Sequence, residues 1–169
     1  MSIRQFTVER FSVISSKPFA QVVSAIESAI GHPDMRAFGA NVAKSASWQE
    51  LEQVVHAAIG PSGFMEFTRF NLGQILAKDY ATREQGASAP KILRLVVGNP
   101  LIMKTMAEHV PDAGSYAPVT LLIDERGDGV HLSYDKMESY LAPYANLAAL
   151  NVARDLDAKV EALLTTAAI

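Results

Sequence analysis

A chain of 169 residues with 15 Lys/Arg, 18 Asp/Glu and no cysteine has room for one domain whose core needs no covalent staples. The missing cysteines exclude disulfides, thiolate nucleophiles and Cys-based zinc or iron–sulfur sites, and a net charge of −3 without clustered cations argues against nucleic-acid binding. The opening residues Met1–Phe6 lack the features of a signal peptide and no apolar run reaches the ~18 residues of a spanning helix, so one cytoplasmic, membrane-free domain over 1–169 is expected.

Residues 4–15 are rich in β-branched and aromatic types and predict strand 1. Pro18 then suits a helix start, and Phe19, Val22, Val23, Ile26 and Ile30 fall on one helical stripe that Gly31 ends. Residues 32–46 read as loop. Ser47-Trp48-Gln49-Glu50 matches a capping box, and Leu51, Val54, Val55, Ala58 and Ile59 follow as the buried stripe of a second helix that stops at Gly60-Pro61-Ser62-Gly63. Residues 64–71 alternate as strand 2. Residues 72–77 suit a short helix and 83–90 a polar loop.

Residues 91–97 are more continuously apolar and predict a central strand 3. Gly98-Asn99-Pro100 is the sharpest punctuation in the chain, with Asn99 as N-cap and proline at the first helical position. Residues 119–124 and 129–134 flank the turn-rich Glu125-Arg126-Gly127-Asp128 and predict a β-hairpin. Asp135 is expected to cap a short helix running to Tyr144, and Asn146 to open a final helix with Ala149, Val152, Ala153, Leu156, Val160, Leu163 and Leu164 on its buried face. The order β-α-(inserted α)-β-β-α-β-β-α predicts an α+β fold, mostly antiparallel, with helices on one face of the sheet.

Three stretches carry a family resemblance: Lys91 to Pro100, ending a strand in Gly-Asn-Pro; Ala117 to Asp124; and Gly129 to Asp135, ending a hairpin in Ser-Tyr-Asp. Together with strand 1 and the Phe19 helix, they make the chain resemble the bacterial and archaeal family known as domain of unknown function 302, over residues 4–30 and 62–166. Residues 32–60 stand out as a helical insertion. The resemblance implies a β-α-β4-α arrangement like that of the TATA-box-binding protein, and packing as homodimers. It brings no activity with it, and a shared fold does not confer nucleic-acid binding.

No phosphate loop, dinucleotide fingerprint, His-Glu-x-x-His or Gly-x-Ser-x-Gly motif is present, so no cofactor is expected. The four histidines, at 32, 56, 109 and 131, share no metal-binding spacing. Met103, Met106 and His109 carry ligand types that suit copper(I), but methionine as a core gap-filler explains the first two more simply; no metal is expected. The candidate ligand-binding residues are Asn99 and Tyr134-Asp135-Lys136, polar groups at strand ends, with His131 nearby. If strands 3 and 5 end at one edge, these groups meet around a small polar or anionic ligand, aided by free helix amides. The plainer reading makes Asn99 and Asp135 N-caps only. Two functions stay open: a non-enzymatic binding or homodimeric assembly domain, and a cofactor-free enzyme in which Asp135 or His131 is the general base and Tyr134 the donor.

Overall fold

The computed structural model describes residues 3–83 and 89–169. Five strands, β1 (Arg10–Ser15), β2 (Met65–Asn71), β3 (Ile92–Gly98), β4 (Val119–Arg126) and β5 (Gly129–Asp135), form one sheet in the order β1-β5-β4-β3-β2. Every neighbouring pair is antiparallel. The helices are α1 (Phe19–Ala29), α2 (Met35–Lys44), α3 (Trp48–Ala58), α4 (Gly73–Arg83), α5 (Pro100–Ala107), α6 (Met137–Leu141) and α7 (Leu147–Ala168).

The two-residue periodicity of the strands decides the layers. Leu93, Leu95 and Val97 of β3, Leu121 and Ile123 of β4, and Val130, Leu132 and Tyr134 of β5 are buried in one core with Val22 and Ile26 of α1, Met106 of α5 and the apolar stripe of α7. The intervening residues, such as Arg94, Val96, Leu122 and Ser133, face the other way, where among the described residues only α6 reaches the rim and no helix layer covers the strands. The fold is therefore α+β, antiparallel, with α1, α5 and α7 covering one face. Among the described residues, no helix is long and apolar enough to cross a membrane.

Four local expectations are corrected. Strand 1 begins at Arg10 rather than residue 4, because its partner β5 ends where Asp135 pairs with Arg10; the preceding segment instead sets Phe6 against Tyr116, Tyr140 and Tyr144. The 32–46 stretch contains α2, capped by the Asp34 side chain accepting from the Ala37 N–H at 2.7 Å. The short helix placed at 72–77 runs on as α4 to Arg83; the polar loop after it lies mostly outside the described residues. Asp135 does not cap α6. That duty falls to Asp157 of α7, whose carboxylate accepts from the Met137 and Glu138 N–H groups at 2.8 and 3.0 Å and from the Tyr134 hydroxyl at 2.7 Å.

Where α1, the α2–α3 hairpin and β2 meet, backbones touch. The Phe64 carbonyl accepts from both the Gly31 and Gly60 N–H groups at 2.8 Å, the Gly31 carbonyl accepts from Glu66, and the Ala29 carbonyl accepts from Ser62. A Cβ built on Gly31 would lie 1.9 Å from the Ala58 carbonyl oxygen, so only glycine fits there.

Candidate functional site

β3 and β5 both run antiparallel to β4, and Val97 pairs with Val119 as Tyr134 pairs with Leu121. The two strands thus end at the same edge, which brings Asn99 and the 134–136 segment to one end of the sheet. Their side chains do not converge. Asn99 Oδ1 accepts from the Leu101 N–H and its Nδ2 donates to the Gly63 carbonyl, both at 2.9 Å, so it is consumed as a cap and a tie. Tyr134 is 2% exposed and points into the core, its hydroxyl held by Asp157. Burial is the main force pushing the Tyr134 hydroxyl pKa far up, with the Asp157 carboxylate adding to it. Lys136 turns toward Glu9, Glu138 and Glu161, 3.7–4.0 Å away. His131 is on the helix-free face and bonds Asp128 at 2.8 Å. Tyr134 and His131 face opposite sides of the sheet, so the Asp–His–Tyr acid–base cluster does not assemble.

Asp135 alone of the five is joined to a larger cavity in a way that leaves it polar and accessible. That cavity is a cleft of about 650 Å³ on the helix-free face. Its floor is Arg94 and Val96 of β3, Thr120 and Leu122 of β4, and Ser133 of β5. The 114–119 segment walls one side, and Arg10, Met137 and Tyr140 bound the rest. Aromatic contacts tie the rim together: Tyr140 stacks on Tyr116 with ring centroids 4.8 Å apart, and the Tyr116 and Tyr144 hydroxyls lie 3.0 Å from each other.

The charges in this lining are Arg10, Arg94 and Asp135. Arg10 and Asp135 neutralise each other through a two-pronged bridge of 2.6 and 2.9 Å, which raises the Arg10 pKa. Burial raises the Tyr140 hydroxyl, helped by the neighbouring Asp135 charge, so Tyr140 is a neutral hydrogen-bond donor in the cleft. Arg94 has no ion-pair partner among the described residues; its guanidinium lies 5.6 Å from the Phe70 ring centroid. The cleft thus holds one uncompensated cation, hydroxyls of Thr120, Ser133 and Tyr140, and apolar floor between them. That set recognises an anionic group through the guanidinium fork. Among the described residues no histidine lines it, and its one carboxylate is already paired, so no base stands beside a nucleophile.

A second cavity of about 230 Å³ adjoins it at the sheet edge. Phe67, Pro100, Ile102, Met103, Pro118 and Leu156 line it, and Ala117, Pro118 and Val119 belong to both cavities. Met103 and Met106 face this apolar space while His109 lies exposed beside Glu108, so the three do not form a metal centre. Among the described residues no group of three His, Asp or Glu side chains gathers to hold an ion.

Arg10, Arg94 and Tyr140 were the site residues that sequence reasoning passed over. Arg94 carried a signal: one cation inside the apolar run Ile92 to Val97 marks the face of a central strand that is not core.

The family model described as "Domain of unknown function DUF302" matches residues 40–167 of the chain. Among solved structures, the chain is similar to the crystal structure of an uncharacterized conserved DUF302 protein from Bacillus stearothermophilus, with 13% identity, a TM-score of 0.61, and coverage of 94% of this chain and 97% of that one. At that identity the likeness speaks for the fold alone. No curated protein matches the chain.

Proposed function

The chain belongs to the DUF302 family, and from that premise we propose that it is a non-enzymatic binding protein for a small organic anion, held in the cleft on the helix-free face of its sheet. The observation that carries this reading is Arg94, a cation with no ion-pair partner among the described residues, on a floor of Val96, Thr120, Leu122 and Ser133. A cation that sits beside apolar side chains and lacks an ion-pair partner among the described residues is free to pair with a carboxylate or phosphate from solution.

The test is a thermal-shift and calorimetric screen of small carboxylates and phosphates on the whole chain. A ligand at a hundred times its Kd adds about 2.7 kcal/mol of stability, which raises Tm by about 5–10 °C in a chain of this size. Arg94→Ala should abolish that rise and leave the unliganded Tm within about 2 °C, since Arg94 is solvent-exposed. A screen without any shift, or a shift that survives Arg94→Ala, refutes the reading.

Self-association is the second reading. Ile14 and Phe70, 52% and 45% exposed, stand on the helix-free face at its two edges, where a second copy would cover them. Light scattering decides it: a mass near twice 18.3 kDa supports a homodimer, and Phe70→Lys should then return the chain to monomer. A monomeric mass at working concentration refutes it.

A further inference from the structure

We propose that the chain has a second binding site, for a small uncharged aromatic ring, in the apolar cavity of about 230 Å³ at the sheet edge. This site is separate from the polar cleft. Phe67 and Pro118 pack over Gly98, where even a Cβ would lie 3.1 Å from Pro118 Cβ and 3.5 Å from Phe67 Cε2. That packing shuts the cavity off from Arg94, so an occupant is recognised by the cavity's own residues alone. Asn99 fixes the start of α5 beside it, capping the helix and donating to the Gly63 carbonyl. From there α5 presents Ile102, Met103 and Met106, α7 contributes Leu156 and β2 contributes Phe67. Met106 and Leu156 are buried and close the deep end, whereas Phe67, Ile102 and Met103 are half-buried and Pro118 is exposed, which leaves a mouth to water.

The lining decides what fits. Among the described residues no charged side chain borders this space, and its one polar side chain, Asn99, is already bonded through both its oxygen and its nitrogen. A buried water needs roughly two to four polar partners, so the deep end holds water poorly. A charged ligand would lose its hydration there without compensation, whereas an apolar one gains by leaving water. A dry apolar cavity of about 150 Å³ accepts benzene, so this one has room for a ring with a short substituent. A ring also gives up no internal rotations on binding, unlike a flexible chain of the same size. The Met103 and Met106 thioethers and the Phe67 ring offer it sulfur–aromatic and ring–ring contacts.

The probe is toluene, titrated into the whole chain and read through the methionine methyl signals by NMR. Met103 and Met106 should shift and saturate, while Met137, which lines the polar cleft, and Met35 of α2 stay still. Benzene, one methyl group smaller, should bind up to about fourfold more weakly. Phenol should bind at least about fivefold more weakly than toluene, because its hydroxyl loses water without gaining a partner, and benzoate should leave Met103 and Met106 unmoved. Ile102→Trp fills the space from within and should abolish the toluene response at Met106, whereas Arg94→Ala should leave it unchanged. A toluene response on the unaltered chain that is absent, fails to saturate, or falls on Met35 or Met137 overturns the proposal, whether or not the Ile102 variant folds. Phenol or benzoate acting on Met103 and Met106 as tightly as toluene overturns the uncharged apolar class. Loss of the toluene response in Arg94→Ala overturns the separation of the two sites. The anion-binding reading stands or falls on its own screen of carboxylates and phosphates.

Discussion

Removing the carboxylate of Asp157 should destabilise this protein more than any other single polar change in its core. Asp157 is 3% exposed and accepts three hydrogen bonds, from the Tyr134 hydroxyl at 2.7 Å and from the Met137 and Glu138 N–H groups at 2.8 and 3.0 Å. Asp157→Ala orphans the Tyr134 hydroxyl and the Glu138 amide, and leaves the Met137 amide only its longer contact to Tyr134 at 3.1 Å. A buried donor without a partner costs about 1–3 kcal/mol, so the expected loss is about 3–5 kcal/mol, a fall in Tm of roughly 6–20 °C. Tyr134→Phe removes one bond and keeps both amides paired, for about 1 kcal/mol. Asp157→Asn retains an acceptor for two donors and presents an NH2 to the third, and should fall between them. Burial raises the Asp157 carboxyl above its ordinary range, the surrounding donors offsetting this only in part. The folded chain therefore holds that proton longer than the unfolded one, so this group's contribution declines as pH rises from about 3.8 through the raised value, and Asp157→Asn should remove that slope. Urea unfolding of the series, repeated from acid to neutral pH, measures all of this. Asp157→Ala lying within about 1 kcal/mol of the unaltered chain would refute the capping argument, as would Tyr134→Phe proving equally damaging.

Glu66 behaves in the opposite sense: its bonds to Arg69 hold its carboxyl below the usual 4.5, so its contribution is present above that pH and lost as pH falls through the lowered value. Glu66→Gln should cost about 1 kcal/mol at neutral pH, given how exposed Arg69 is, and should make the acid side of the stability profile shallower in urea titrations. Asn99→Ala removes both the cap on α5 and the tie to Gly63, for about 1–2 kcal/mol by the same measurement. Gly31→Ala forces a methyl into the Ala58 carbonyl and should cost about 3 kcal/mol or more, seen as a lowered Tm; a Tm within 2 °C of the unaltered chain would mean that the crossing relaxes freely, against the expectation from backbone crowding.

Much of the scaffold could be read from pattern. Val130, Leu132 and Tyr134 alternate with His131 and Ser133, and that alternation marks the core face of β5. Ser47, Asn99 and Asn146 each carry a short oxygen at a helix start, and each bonds an amide as a cap. Helix α2 escaped although Met35, Phe38 and Val42 recur at helical spacing, because the Pro33, Gly39 and small residues around them read as loop and the helix buries no residue. Asp157 escaped for a related reason. It sits between Leu156 and Val160 in a helix rich in charge, and nothing local shows that its carboxylate turns inward to serve a helix twenty residues earlier. The candidate cleft was the least legible part. Arg10 and Asp135 are paired across 125 positions, and Tyr116 meets Tyr140 only through tertiary folding. Strand-end polarity points to the end of the sheet where Asn99 and Asp135 lie, whereas Arg94 lies mid-strand, where an apolar run conceals it.

The doubly occupied carbonyl of Phe64 has a dynamic consequence. Gly31 and Gly60 hang on the same oxygen, so releasing either helix end from β2 disturbs the attachment of the other. Deuterium uptake at the amides of Gly31, Gly60, Ser62 and Glu66 should then follow one common opening event, and the α2–α3 hairpin should swing away from the sheet only when all four let go together.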